Sequence, residues 1–513
     1  MIPSNSSLSW PSALALLVAG GLQTLTFSPF GLTWLALPSV VLLLLALIPL
    51  TPRSLFRAGW LFGVGLFGSG ASWVYVSISE YGNTALPIAV VLTVIFVAGL
   101  ALFPAITLWA WGRLSGSGIV RRLILFPGVW VLGDWVRGWL LTGFPWLYLG
   151  TAQVDGPLAG LAPITGVHGV TLVITATGAA LYGVLVLLQS SRRTAAGITT
   201  VLVALTWGLS PLLTNHSWTE RAETPLTVAA MQGNVPQQLK WDPEFLQDQV
   251  QTYLALTEDD WRSDLVLWPE TAIPILQDRA GPILDVIRDR LGGDSTLITG
   301  IPWHGYKRSI DDFTYRNRII AVGNGGGQYD KQKLVPFGEY VPLSQWLRGV
   351  IGFFNLPMSE FSPGPAYQDP LTAGQQSIMP FICYEIAYPD FVARNASGTD
   401  FLLTISNDGW FGRSIGPHQH LQIARMRALE TGRYVFRGTN NGVTAIIDEQ
   451  GQIQTRIPQF ERTVLHGEIY PVDGQTPFMA TQSWPVLTLA MILIVFARPR
   501  IIPTPSRAVH DGR

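Results

Sequence analysis

The sequence predicts a two-part protein, a multi-span α-helical membrane domain joined to an α/β domain of layered sheets and helices. Three observations carry this. Residues 1–213 hold no lysine and only three acidic side chains, Glu80, Asp134 and Asp155, whereas residues 222–476 hold all four lysines, Lys240, Lys307, Lys331 and Lys333. Apolar runs of about 20 residues, the length that crosses a hydrocarbon core, recur through the first part. From about residue 224 onward, short β-rich runs alternate with stretches of helical periodicity. The charged fraction of 13% and the mean hydropathy of +0.31 average over this split. A net charge of −1 leaves no nucleic-acid footprint.

Taken in order, the expected spans are 9–27, 31–50, 58–79, 86–112, 118–140, 160–188 and 195–213, which make residues 1–215 a domain of seven transmembrane helices. An eighth span falls near 479–497, within 477–500, and a tail follows at 501–513. The first run has neither a basic lead nor a cleavage site, so it reads as a retained span. The fifth carries Asp134 and Arg137, which share a helix face. Such a pair inside a membrane is either a functional site or a clamp between helices. Arg53 and Arg57, then Arg113, Arg121 and Arg122, then Arg192 and Arg193, and finally Arg498 and Arg500 all fall on one side of the spans. The positive-inside rule therefore puts both termini in the cytoplasm and the domain at 222–474 outside.

Within that domain LTVAAMQG, DLVLWPE, STLITGIPW, RNRIIAVGN, QSIMPFICYE, DFLLTISND and the runs flanking DEQG read as strands. Residues 243–261, 279–291 and 417–432 read as helices, the last with polar and apolar residues at helical spacing. Strands that are apolar throughout imply sheets covered on both faces.

Three strand ends carry chemistry. The chain has a single cysteine, Cys383, at the end of SIMPFIC. It can form no intramolecular disulfide and cannot hold zinc alone, so it is either a nucleophile or a small buried hydrophobe. The Tyr384–Glu385 pair after it reads as the mouth of a site. Glu270 ends DLVLWPE, and Lys331 and Lys333 follow GQYD with Glu339 beyond a PFG turn. Two residues apart on a strand, the lysines share a face, so periodicity does not choose between them. Other motifs carry less. His418 and His420 form an HxH near Asp408 without a third and fourth metal ligand, and hydrogen bonding at a helix start suits them better. The glycines of VGNGGGQ suit a hairpin turn. His168 near a span start is either a headgroup contact or a packed side chain.

With these motifs the chain resembles the nitrilase (carbon–nitrogen hydrolase) superfamily. Within it, the chain is similar to the integral-membrane branch, the apolipoprotein N-acyltransferases. The resemblance rests on the multi-span first half, TGFPW at 142–146, MQGNVPQQLKW at 231–241, LVLWPE, YDKQKLVPFGEYVP, ICYE, SNDGWFG, RALETGR and TNNG. Asp134 departs from it, standing where the family has a glutamate. The resemblance implies an αββα sandwich facing the periplasm from the inner membrane, with Glu270 as general base, Lys331 as catalytic lysine and Cys383 as nucleophile. It also implies supporting roles for Tyr384, Glu339 and Glu385 and a functional role for Trp241. The expected reaction is ping-pong acyl transfer through a Cys383 thioester. The donor is a phospholipid, at its sn-1 ester by the resemblance, and the acceptor is the N-terminal amine of a diacylglyceryl-cysteine on an apolipoprotein. Neither metal nor organic cofactor is called for. Lys331 is expected to favour the thiolate.

The segment VPLSQWLRGVIGFFNLPMSEF, with Trp346, Leu347, Ile351, Phe353, Phe354, Leu356 and Met358, is too apolar for a solvated loop. It is either a lid that dips into the outer leaflet, with Phe353 and Phe354 contacting lipid, or a helix packed on the core. Two other functions are conceivable. A membrane-tethered amidase hydrolysing a small amide would need one span rather than seven. A transporter or receptor with a pseudo-enzymatic outer domain would leave the Glu, Lys and Cys set unexplained.

Overall fold

The structure is a computed structural model and describes residues 8–82, 84–116, 118–214, 216–307, 312–340 and 361–496. The apolar segment at 341–360, Arg498, Arg500 and the tail lie outside them.

A helix stands at each place where a span is expected. Among the described residues, Leu86–Ser115, Ala159–Gln189 and Arg193–Thr214 are long and apolar enough to cross a membrane. Pro52–Gly70 and Val74–Tyr81, bent by 62° at their junction, make a fourth if taken as one span. The remaining expected spans are shorter or more charged helices. Trp10–Thr24 has 15 residues, and Thr33–Leu47 and Trp484–Phe496 are short apolar helices. At about 1.5 Å per residue, such helices fall short of a core about 30 Å thick. Ile119–Arg137 carries Arg121, Arg122, Asp134 and Arg137.

Among the described residues, strands between Leu226 and Ile469 form two facing sheets between helices, and Thr219–Arg221 pairs with Val472–Gly474 in a separate two-stranded sheet. One sheet runs Thr463–Ile469, Leu226–Gln232, Leu265–Leu267, Thr296–Lys307, Asp312–Gly323, Gln328–Asp330. The other runs Ile453–Ile457, Thr444–Ile447, Val435–Thr439, Phe401–Ser406, Gln376–Ile382, Leu371–Ala373, Gly325–Gly326. Strand alternation sorts the first sheet's side chains. Ala229, Met231, Val266, Trp268 and Leu297 pack with Val250, Tyr253, Leu284 and Ile287 of the helices Leu246–Leu256 and Gly281–Arg290. Val228, Ala230, Leu265, Leu267 and Ile298 turn the other way, into the core shared with the second sheet. Both faces are covered, as the uninterrupted apolar runs require. The VGNGGGQ turn lies between the antiparallel strands Asp312–Gly323 and Gln328–Asp330, and its Gly325 and Gly326 also pair with Leu371–Ala373 of the second sheet.

The helix Gly416–Thr431 covers the second sheet. All of it except His418 is buried, because its polar face meets the membrane half instead of solvent. Gln419 Oε1 accepts from the indole N–H groups of Trp73 at 3.1 Å and Trp146 at 2.8 Å. Gln422 Oε1 accepts from Ser28 N at 2.9 Å, and Arg425 pairs with Asp155. Glu430 accepts from Val167 N at 2.7 Å, where Gly166, at φ 64°, interrupts the helix Ala162–Gln189. A helix that restarts exposes unpaired N–H groups, and a carboxylate there satisfies them.

Asp134 and Arg137, three residues apart, pair at 2.8 Å. Arg137 also donates to the carbonyls of Phe144 and Trp146, so the pair clamps the TGFPW segment. That segment in turn accepts from Tyr384 Oη through Gly143 O at 3.1 Å and from Tyr388 Oη through Thr142 O at 2.8 Å. His168 is a packed side chain, buried edge-on against Tyr148 with ring centroids 4.9 Å apart.

Candidate active site

The site assembles where strands of both sheets end. Glu270 follows Leu265–Leu267 in a turn that passes so close to Gly300 that a Cβ there would sit 2.9 Å from Glu270 Cα and 2.4 Å from Thr271 N. Its carboxylate accepts from Asn317 Nδ2 at 2.7 Å and from Asn407 N at 2.8 Å. Its carbonyl accepts from Lys240 Nζ at 2.7 Å. Lys331, one residue past Gln328–Asp330, is buried and pairs with Glu339 at 2.7 Å. Asn317 Nδ2 reaches Glu339 as well, at 3.2 Å, and so bridges the two carboxylates. Cys383, half-buried at φ 54°, opens the turn after Gln376–Ile382.

Lys331 and Lys333 part company here. Lys333 Nζ lies over the rings of Tyr388 and Phe391, at 5.5 and 5.6 Å, away from the carboxylates. The bend after residue 330 separates side chains that a continuing strand would have kept together.

Glu385 does not line a mouth. It is fully buried and accepts from the backbone N–H groups of Gln332 at 2.6 Å, Lys333 at 3.0 Å and Ile382 at 2.8 Å, and from Tyr329 Oη at 3.1 Å. One carboxylate thus ties the lysine turn to the cysteine turn. Burial pushes its pKa up to about 7 while the three backbone donors pull it back. Tyr384 is buried too, stacked on Trp146 with ring centroids 6.2 Å apart and planes at 13°. Trp241 is half-buried, and its indole N–H meets no acceptor among the described residues. Phe353 and Phe354 lie outside the described residues.

Burial raises the Cys383 thiol well above its ordinary value, the negative charge of Glu270 adds to this, and Lys331 only partly opposes it. Lys331 pulls the thiol down, the direction expected of it, without offsetting burial and Glu270. Burial opposes charge on Lys331, but Glu339 and Glu270 outweigh it and keep the ammonium protonated. Burial likewise raises Glu270, against the pull of Lys331. The thiol and the carboxylate are thus both raised, and a carboxylate of raised basicity is the acceptor that general-base activation would use.

Sequence reasoning missed three contributors. Asn317 and Asn407 hold the Glu270 carboxylate, and Lys240 is a second buried ammonium at the site, acted on by Glu270 and Cys383 and pushed down to about 8 by burial. Asn317 sits mid-strand, where no motif marks it. Lys240 carried a signal, as one of only four lysines in the chain, within MQGNVPQQLKW.

Two helix-flanked sheets with a glutamate, a lysine and a cysteine at their ends define an α/β enzyme of the carbon–nitrogen hydrolase class. The family model described as "Carbon-nitrogen hydrolase" matches residues 227–476, and that described as "Apolipoprotein N-acyltransferase N-terminal domain" matches residues 19–180. The chain is 46% identical to the apolipoprotein N-acyltransferase of Pseudomonas syringae pv. tomato, over 95% of this chain and 96% of that one. It is 47% identical to the same-named protein of Azotobacter vinelandii, over 95% of each. Among solved structures, Saccharomyces cerevisiae Nit3 overlaps 48% of this chain and 91% of its own, at 17% identity and a TM-score of 0.37. The chain belongs to the apolipoprotein N-acyltransferase family and is an N-acyltransferase.

Proposed function

We propose that the protein moves an acyl chain from a phospholipid, at its sn-1 ester, to the α-amine of a lipoprotein's N-terminal diacylglyceryl-cysteine, by way of a thioester on Cys383. The observation that carries this reading is the convergence of Glu270, the Lys331–Glu339 pair and Cys383 beside the TGFPW segment of the membrane half.

In the first half-reaction Glu270 takes the proton from Cys383 Sγ as the sulfur attacks the ester carbonyl. Lys331 and the backbone N–H of Tyr384 donate to the oxyanion. Collapse breaks the carbonyl carbon–alkoxide bond, and Glu270 returns its proton to the glycerol oxygen. Lysophospholipid leaves. In the second, Glu270 takes a proton from the attacking amine, the C–S bond breaks, the thiol is re-protonated and an amide remains. Atoms balance without a cofactor. Trp146, Tyr384 and the helix Gly416–Thr431 pack across this side, limiting water, which would otherwise hydrolyse the thioester.

The same reading puts both termini in the cytoplasm and residues 222–474 in the periplasm, anchored in the inner membrane by the seven helices within 1–215 and one within 477–500. Its support is that Ser28, Ser77, Trp146 and Asp155, all on the arginine-poor side of the spans, touch the catalytic domain.

The test is to incubate purified protein with a phospholipid carrying a labelled acyl chain and no acceptor. A hydroxylamine-sensitive label on the protein, lost in Cys383→Ala, is expected. Released labelled fatty acid without bound label would instead indicate a hydrolase, and absence of both would sink the acyl-transfer reading.

A further inference from the structure

One buried group reaches the nucleophile from a direction that the reaction above does not use. The carbonyl oxygen of Cys383 accepts a hydrogen bond from His420 Nε2 at 3.1 Å. His420 is 1% exposed, and its ring is held at both ends. Its Nδ1 lies 3.0 Å from Asp408 Oδ1 and 3.1 Å from Arg437 Nη2. Arg437 Nη2 also donates to Asp408 Oδ2 at 2.6 Å, and Ser406 Oγ donates to Asp408 Oδ1 at 2.9 Å. The Trp146 ring packs against the imidazole at 5.5 Å between centroids.

These partners keep the Nε2 proton in place. A neutral ring accepts at Nδ1 from Arg437, and a charged ring donates there to Asp408. In either state the carbonyl of Cys383 can be satisfied at Nε2 only by an N–H.

The consequence follows from peptide geometry. The unit joining Cys383 to Tyr384 is planar and trans, so its C=O and N–H point in opposite directions. A hydrogen bond on the carbonyl fixes where the amide points and polarises it as a donor. The unit also needs holding, since a non-glycine residue in the left-handed region is strained, and Cys383 sits there at φ 54°. We propose that His420, oriented by Asp408 and Arg437, is a positioning residue that aims and polarises the Tyr384 amide toward the oxyanion formed on Cys383. This deepens the acyl-transfer reading and rests on it for the amide's role.

The test exploits the single cysteine, because every thiol label reports on Cys383. His420→Gln places an amide N–H near the lost Nε2, and His420→Asn places one near Nδ1, leaving the carbonyl without its donor. Two rates are read on the full-length protein. Acylation by the labelled phospholipid, and in parallel by a p-nitrophenyl ester, passes through an oxyanion. Alkylation by iodoacetamide needs the same thiol but forms no oxyanion. His420→Asn is expected to slow acylation between about tenfold and a hundredfold, below the 10²–10³ for deleting an oxyanion donor outright. Alkylation should stay within about threefold, and His420→Gln should recover most of the acylation rate. Unchanged acylation in His420→Asn, a parallel fall in both rates, or no recovery in His420→Gln would overturn the assignment. A wild type acylated by the p-nitrophenyl ester but not by phospholipid would overturn the donor and leave the His420 comparison decisive. Acylation by neither would overturn both.

Discussion

Burial and the charge of Glu270 both oppose ionisation of Cys383, and Lys240 and Lys331 are the cations that feel both groups. The two lysines differ in commitment. Lys331 is locked to Glu339, whereas Lys240 Nζ donates to the neutral carbonyl of Glu270. With its pKa near 8, Lys240 is a cation below that pH and neutral above it. Raising the pH through about 8 therefore removes a positive charge that acts on both Glu270 and Cys383. Single-turnover acylation of Cys383 should fall along that limb. Lys240→Met should lose the limb and run about tenfold slower at pH 7, the scale of a lost hydrogen bond to a charged group. A pH–rate profile checks this, and a wild-type rate still climbing past pH 9 would contradict it. At this scale the sequence located Glu270, Lys331 and Cys383 at strand ends. It did not show that Lys331 would arrive already paired, because Glu339 meets it only through the fold of the PFG turn.

The turn, rather than the strand, is the element that builds the site. Glu385 joins the turn after residue 330 to the turn that holds Cys383, taking three backbone donors and one phenol. Glu385→Ala would strand those donors in the interior, at about 1–3 kcal/mol for each left unsatisfied. A loss of about 3 kcal/mol or more in stability is expected, with amide exchange rising first at Gln332 and Lys333. Exchange unchanged there would mean that the turns hold without the carboxylate. Glu385 followed the cysteine in sequence and so read, with Tyr384, as the mouth of a site. The left-handed turn at Cys383 sends its side chain inward, and no periodicity rule extends across such a turn.

For the whole molecule, the helix Gly416–Thr431 is the keel on which the two halves meet. Its polar residues lie against the membrane half, and Glu430 caps the restart of the helix broken at Gly166. A Cβ at Gly166 would fall 2.2 Å from Phe478 Cε2, at a φ of 64°. Gly166→Ala should therefore cost about 2–4 kcal/mol from left-handed strain and overpacking combined. The thermal midpoint in detergent should drop, and an unshifted midpoint would show that the break tolerates a side chain.

Composition and spacing by themselves determined the division into an apolar helical half and an α/β half, the strands that carry Glu270, Lys331 and Cys383, and the family resemblance. These are local or averaged properties, set by transfer of side chains from water and by the two-residue period of a strand. Tertiary structure alone decided which lysine faces the carboxylates, that Glu385 is an interior clamp, that Asp134 and Arg137 brace TGFPW, and that His420 grips the carbonyl of Cys383. These depend on where turns bring residues together, across as many as 394 positions for Gln422 and Ser28, and a polar side chain's role is set by its partner there.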